Sequence, residues 1–180
     1  MTVINDAYTA KMSARFATFD RDHDGRIDVA DFEGMAHAVL AACGRGPHSP
    51  EGMQLVEGAR AFFRGLADIA DTDGDGTISE AEFVHAARTE LLGDRDGFTR
   101  IVLPWAQAVV AVADTDGDGA VDLAEWANVL VAMGATAQCA EQQAQHVDAD
   151  GDGEVTLAEV LDTAVTFYTA DEAGHEFDHA

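Results

Sequence analysis

One twelve-residue pattern occurs four times in this 180-residue chain: DRDHDGRIDVAD from Asp20, DTDGDGTISEAE from Asp71, DTDGDGAVDLAE from Asp114 and DADGDGEVTLAE from Asp148. Each copy has carboxylates at positions 1, 3 and 5, a glycine at 6, a β-branched residue at 8 and an acid at 12. A single acidic turn of this kind would mean little, because solvated aspartate turns are common. Four copies in one chain restrict the fold to something that presents four such loops.

Calcium needs this arrangement, because a hard ion that takes six to eight oxygens at roughly 2.3 to 2.6 Å must be wrapped by a short loop offering side chains from alternate positions. The candidate ligands at positions 1, 3 and 5 are Asp20, Asp22 and Asp24; Asp71, Asp73 and Asp75; Asp114, Asp116 and Asp118; and Asp148, Asp150 and Asp152. Position 7 offers a backbone carbonyl from Arg26, Thr77, Ala120 or Glu154, so its side chain is expected to be irrelevant to the ion. Position 9 adds Asp28, Ser79, Asp122 and Thr156, and position 12 adds Asp31, Glu82, Glu125 and Glu159. The glycines Gly25, Gly76, Gly119 and Gly153 stand where the loop must turn through a positive φ. Ile27, Ile78, Val121 and Val155 are expected to point inward and join paired loops by a short two-stranded bridge.

The first loop departs from the pattern. Asp31 is one methylene shorter than the glutamates at position 12 elsewhere, so it must bind through one oxygen or draw the exit helix inward. Three strong calcium sites are expected, with the first weaker, open to magnesium or empty. Its five candidate carboxylates pull the other way and are partly offset by Arg21 and Arg26.

Each loop has an entering and an exit helix. Phe16 and Phe19, Ala67 and Ala70, Val110 and Ala113, and Ala144 and Val147 repeat one helical spacing ahead of the loops. Phe32, Phe83, Trp126 and Val160 directly follow the position-12 acid and lead apolar stretches. A dockerin-like module is the rival for such loops and often has aspartate at position 12, but it has two loops rather than four helix-loop-helix units. The chain resembles the EF-hand superfamily across nearly its whole length, and within it the bacterial calerythrin-like and sarcoplasmic calcium-binding proteins. The loop starts are unevenly spaced, and the longest gap holds GRGPHSPEG at residues 44–52, the best linker candidate. The resemblance implies an all-α fold of two packed lobes: residues 1–92 and 93–169, each with a loop pair, followed by an acidic polar tail, 170–180.

Helices are expected from about Ile4 to Phe19 and from about Ala30 to Cys43. The second unit should span Pro50 to Leu92, the third should begin near Asp96, and the fourth should run from Thr136 to Thr169. Pro104 removes a backbone donor from the third entering segment, so a kink or restart is expected there.

A formal charge of −24, only a third of which four divalent ions would offset, disfavours nucleic acid and anionic membrane surfaces as partners. Cys43 and Cys139 form no C-x-x-C pair and read as ordinary thiols. His175 and His179 are spaced by four, but in a glycine-containing tail, and the sequence has no nucleophile elbow, P-loop or paired catalytic acids. An enzyme is not expected. The start has no basic region followed by a long apolar run, and no stretch is long enough to span a bilayer, so a cytoplasmic, monomeric protein is expected.

Two roles fit a calcium binder. Resemblance to the sarcoplasmic type implies a buffer or transporter, whereas a sensor would open an apolar groove to a partner protein. Beyond the initiator, only Met12, Met35, Met53 and Met133 are present, scattered along the chain, which reads as core filling rather than as a groove lining. Replacing Asp31→Glu should raise calcium affinity at the first loop; unchanged affinity in equilibrium dialysis would refute the geometric argument.

Overall fold

The computed structural model describes residues 6–170. Its elements run α1 (Asp6–Phe19), β1 (Arg26–Ile27), α2 (Val29–Ala42), α3 (Pro50–Ala70), β2 (Ile78–Ser79), α4 (Glu80–Ala86), α5 (Arg95–Ala113), α6 (Leu123–Ala132), α7 (Ala137–Val147) and α8 (Leu157–Thr169). A π-helical turn, Ala87–Leu91, prolongs α4. The expected boundaries lie within a residue or so of these. Ile4, the expected start of the first helix, and the tail beyond Ala170 with His175 and His179 lie outside the described residues.

Local chemistry sets the helix starts. Ser49 caps α3 by accepting from Gly52 N–H, with Pro50 in the first turn where its missing donor costs nothing. Asp94 and Thr136 cap α5 and α7 in the same way. The other four caps come from the loops: Asp28, Ser79, Asp122 and Thr156 begin α2, α4, α6 and α8, each in a reciprocal capping box with the acid three residues on.

The loops pair as their position-8 residues suggest. β1 and β2 are antiparallel with Ile27 opposite Ile78, both wholly buried. The third and fourth loops meet through Asp122 and Glu154, and Val155 N–H donates to Val121 O at 2.7 Å. One continuous core joins the two pairs. Across it runs a series of ring contacts: Phe83 to Phe19, Phe19 to Phe32, Phe32 to Phe62, Phe62 to Phe98, and Phe98 to Tyr168, the last with centroids 4.3 Å apart. The ends of the described chain meet as well. The single hydroxyl proton of Tyr8 is shared between Ala87 O at 3.0 Å and Tyr168 O at 2.7 Å, and Arg15 Nε donates to the Tyr168 hydroxyl at 2.8 Å.

Two expectations are revised. α5 runs through Pro104 as one helix, so the restart does not occur. Proline removes one helical hydrogen bond at a cost of about 3 kcal/mol, and burial of Phe98, Val102, Trp105, Val109 and Val112 on the same helix outweighs that. Met53 is 57% exposed, because it falls on the outer side of the first turns of α3 and not in the core.

The packing of α3 on α5 depends on glycine. A Cβ at Gly58 would lie 2.8 Å from the Pro104 carbonyl oxygen, and one at Gly65 would lie 2.9 Å from Ile101 Cγ2. The carbonyl cannot rotate aside, so Gly58→Ala should force the helices apart. Overpacking toward the upper end of 1–3 kcal/mol, as a clash with fixed backbone demands, less about 1 kcal/mol of helix propensity, predicts a net loss of up to about 2 kcal/mol in urea denaturation. An unchanged or raised midpoint would show that the two helices separate freely.

Candidate metal centre

The four loops share one internal hydrogen-bond scheme. The position-1 carboxylate accepts from the position-6 glycine N–H: Gly25 to Asp20 at 3.0 Å, Gly76 to Asp71 at 3.0 Å, Gly119 to Asp114 at 3.1 Å and Gly153 to Asp148 at 3.0 Å. Those glycines have φ between 86° and 94°, which only glycine adopts cheaply. Position 3 accepts from the position-5 N–H, and position 5 from the position-7 N–H, in every copy. The backbone thus holds the side chains in place while oxygens converge on the loop centre.

The position-12 acid closes each loop. Its two oxygens accept from the backbone N–H of positions 2 and 9: Arg21 and Asp28 for Asp31, Thr72 and Ser79 for Glu82, Thr115 and Asp122 for Glu125, and Ala149 and Thr156 for Glu159. Asp31 makes both bonds at 2.9 Å despite its shorter side chain, and is buried at 7% exposure. Burial raises its pKa, only partly countered by the Asp28 and Arg21 amides. The glutamates behave oppositely. The Ser79 amide and hydroxyl and the Thr72 hydroxyl pull Glu82 down to about 2, and the Thr156 amide and hydroxyl lower Glu159. Burial raises Glu125, but the Thr115 hydroxyl and amide and the Asp122 amide together bring it below its usual value.

Among the described residues, oxygens converge within 4.8 Å of one another from Asp20, Asp22 and Asp24; from Asp71, Asp73 and Glu82; from Asp114, Asp116 and Asp118; and from Asp148, Asp150 and Glu159. These sets contain neither histidine nor cysteine, and an all-oxygen donor set suits a hard divalent cation rather than zinc or copper. The other anticipated ligands stand in the same loops outside these tight groups. Of the position-12 acids, Glu82 and Glu159 belong to such a group, and Asp31 and Glu125 do not.

Three features escape a reading of the ligand pattern alone. His23 occupies loop position 4 with φ 60°, where Gly74, Gly117 and Gly151 have φ 75°, 78° and 75°. The glycine N–H there donates to the position-1 aspartate in the last three loops, whereas in the first loop Asp24 N–H makes the corresponding bond. A side chain in this left-handed region costs roughly 1–2 kcal/mol. Aligning the four copies exposes the difference. The same alignment finds Thr72 and Thr115 at position 2, whose hydroxyls donate to Glu82 at 2.9 Å and Glu125 at 2.7 Å.

The third feature lies between loops. The Arg26 guanidinium donates to Asp75 Oδ2 at 2.5 Å and Thr77 Oγ1 at 2.6 Å, in the second loop. The antiparallel register sets Arg26 opposite Ser79 and so beside these residues. No spacing rule within a single loop reveals a contact made by pairing two.

Comparison with known proteins agrees with this geometry. The family description "EF-hand domain pair" matches residues 9–88, and "EF hand" matches residues 111–131. Calerythrin of Saccharopolyspora erythraea is 27% identical over 139 residues, covering 77% of this chain and 78% of that protein. The sarcoplasmic calcium-binding protein beta chain of a Penaeus species is 36% identical over 76 residues, which is 42% of this chain and only 40% of the relative. A solved Streptomyces coelicolor calcium-binding protein superposes with a TM-score of 0.86 at 43% identity, covering 90% of this chain and 98% of that one. Four acidic loops, each flanked by helices, together with that relationship place the chain in the EF-hand family of calcium-binding proteins.

Proposed function

We propose that this protein is a cytoplasmic calcium buffer of the sarcoplasmic type, working as a monomer. The observation that carries the reading is the single core joining the two loop pairs, with Tyr8 and Arg15 of α1 tied to Tyr168 of α8. A sensor needs an apolar face that opens independently, whereas here the apolar faces of the two halves cover each other. Only Val29, Met53, Leu92 and Val131 are large exposed apolar side chains among the described residues, and they lie on separate elements. No described helix is long and apolar enough to cross a membrane.

The halves 1–92 and 93–169 act as paired units in this reading. In each loop the ligands are the side chains of positions 1, 3, 5 and 12, the position-7 carbonyl and position 9, directly or through water. The second, third and fourth loops bind calcium strongly. The first is weaker and is the best place for magnesium, because Asp31 starts from a buried position with a raised pKa and His23 strains the turn.

A second reading, a calcium-responsive regulator with a protein target, is favoured by one observation. The Streptomyces coelicolor protein is described as the structural basis for prokaryotic calcium-mediated regulation. Titrating calcium into the metal-free protein with a hydrophobic-surface dye, in constant magnesium, separates the two. A buffer gives falling or constant dye fluorescence; a saturable rise would favour the regulator.

Arg26 already supplies a cation to Asp75, so it should compete with calcium for the second loop and hold that loop's apo form together. Arg26→Gln is therefore expected to raise second-loop calcium affinity a few-fold, more at low salt than at high, by isothermal calorimetry. A lowered affinity would mean that the guanidinium organises the loop instead of opposing the ion.

A further inference from the structure

The third loop leaves its entering helix differently from the other three. Asp20, Asp71 and Asp148 each close the last turn of their helix through their own N–H, donating to Phe16 O at 2.9 Å, Ala67 O at 2.9 Å and Ala144 O at 3.1 Å. Asp114 makes no such bond to Val110, and the last turn of α5 has no basic side chain of its own. The Asp114 carbonyl instead accepts from Arg45 Nη2 at 2.8 Å. Arg45 lies 69 residues away, just beyond α2, so a side chain from the end of the first unit holds the end of the third unit's entering helix.

The backbone fixes where this arginine starts. Gly44 has φ 63°, its N–H donates to Ala41 O at 3.2 Å, and Arg45 N–H donates to Leu40 O at 2.9 Å. That pair of bonds is a Schellman motif, which locks the turn after a helix. α6 ends in the same motif, with Gly134 N–H on Val131 O and Ala135 N–H on Leu130 O, but alanine stands there in place of arginine. The link therefore runs one way, from the first unit to the third. Ala42, the last residue of α2, accepts from Asn128 Nδ2 of α6 at 3.0 Å, so the end of α2 is tied to both helices that flank the third loop. In a chain with 34 acids, Arg45 forms no ion pair among the described residues. Its charge meets a carbonyl at a helix C-terminus, where a cation is favoured.

We propose that Arg45 is a positioning residue of the third calcium site. A helix end without its closing hydrogen bond frays, and a ligand on a frayed end must be ordered when the ion arrives, which lowers the apparent affinity by the fraction of molecules already in place. Arg45 removes that cost by keeping Asp114, the position-1 ligand, where the loop needs it. The inference rests on the third loop being a calcium site, and it makes affinity there depend on a residue outside that loop's own pair.

The test is a calcium titration of ¹⁵N-labelled full-length protein in chelator-buffered solution, following the amides of Gly76, Gly119 and Gly153, each of which donates to the position-1 aspartate of its own loop. Arg45→Met keeps the aliphatic stem and removes donor and charge. It should weaken the transition at Gly119 roughly three- to tenfold, within the range of one net hydrogen bond. The transitions at Gly76 and Gly153 should stay in place, which also shows that the variant is folded. The loss should persist at high salt, because it comes from placement and not from a screened field. An unchanged Gly119 transition would overturn the proposal, as would equal weakening at all three glycines. A tighter third loop in the variant would do the same, by showing that the guanidinium only repels the ion. If Gly119 reports no calcium uptake in the unmodified protein, the assignment of the third loop falls first and this inference with it.

Discussion

Four times in this molecule a single carboxylate accepts from two backbone amides that belong to opposite ends of a loop, and the arrangement of helices follows from that bridge. Glu82 takes the N–H of Thr72 at the loop's beginning and of Ser79 at its end, and Asp31, Glu125 and Glu159 repeat the arrangement. The second amide is that of the helix cap, so the same side chain closes the loop, starts the exit helix and offers oxygens to an ion. Acid in the first turn also suits the positive end of the helix dipole. The residue immediately following the acid is Phe32, Phe83, Trp126 or Val160, and three of these four are buried. Movement of the carboxylate is thereby passed directly to the core.

The core limits how far that movement can go. Rings from Phe83 to Tyr168 touch in sequence across the two loop pairs, and glycines at 58 and 65 let α3 press against α5. Interiors packed in this way respond to strain in discrete steps rather than by smooth deformation. A shift at one loop is resisted by both pairs together. The large negative charge acts in the opposite direction, loosening the molecule when the loops lack cations, so ion binding and packing reinforce each other.

Much of this was legible in the chain. The four acidic loops, the inward Ile27 and Ile78, the helix ends at Phe19 and Thr169 and the break between α2 and α3 follow from residue type and spacing, because each is decided within a dozen residues. What was not legible depends on distant partners. Pro104 reads as a break until the packing of α5 on α3 is known, and Met53 reads as core until the facing of α3 is known. Arg26 meets Asp75 only because two loops pair. The backbone strain at His23 is an intermediate case, visible as soon as the four loops are written one above another.

Both tryptophans, Trp105 on α5 and Trp126 on α6, lie in the second half of the chain, while the first half has phenylalanines and Tyr8. Indole absorption thus comes only from helices that belong to the second loop pair. A luminescent lanthanide seated in the third loop would have Trp126 one residue from its closing carboxylate and would be sensitised by it, whereas one in the first loop would be flanked in sequence by Phe19 and Phe32, which absorb little at those wavelengths. The order in which the loops fill is written into the protein's own optics, without any added label.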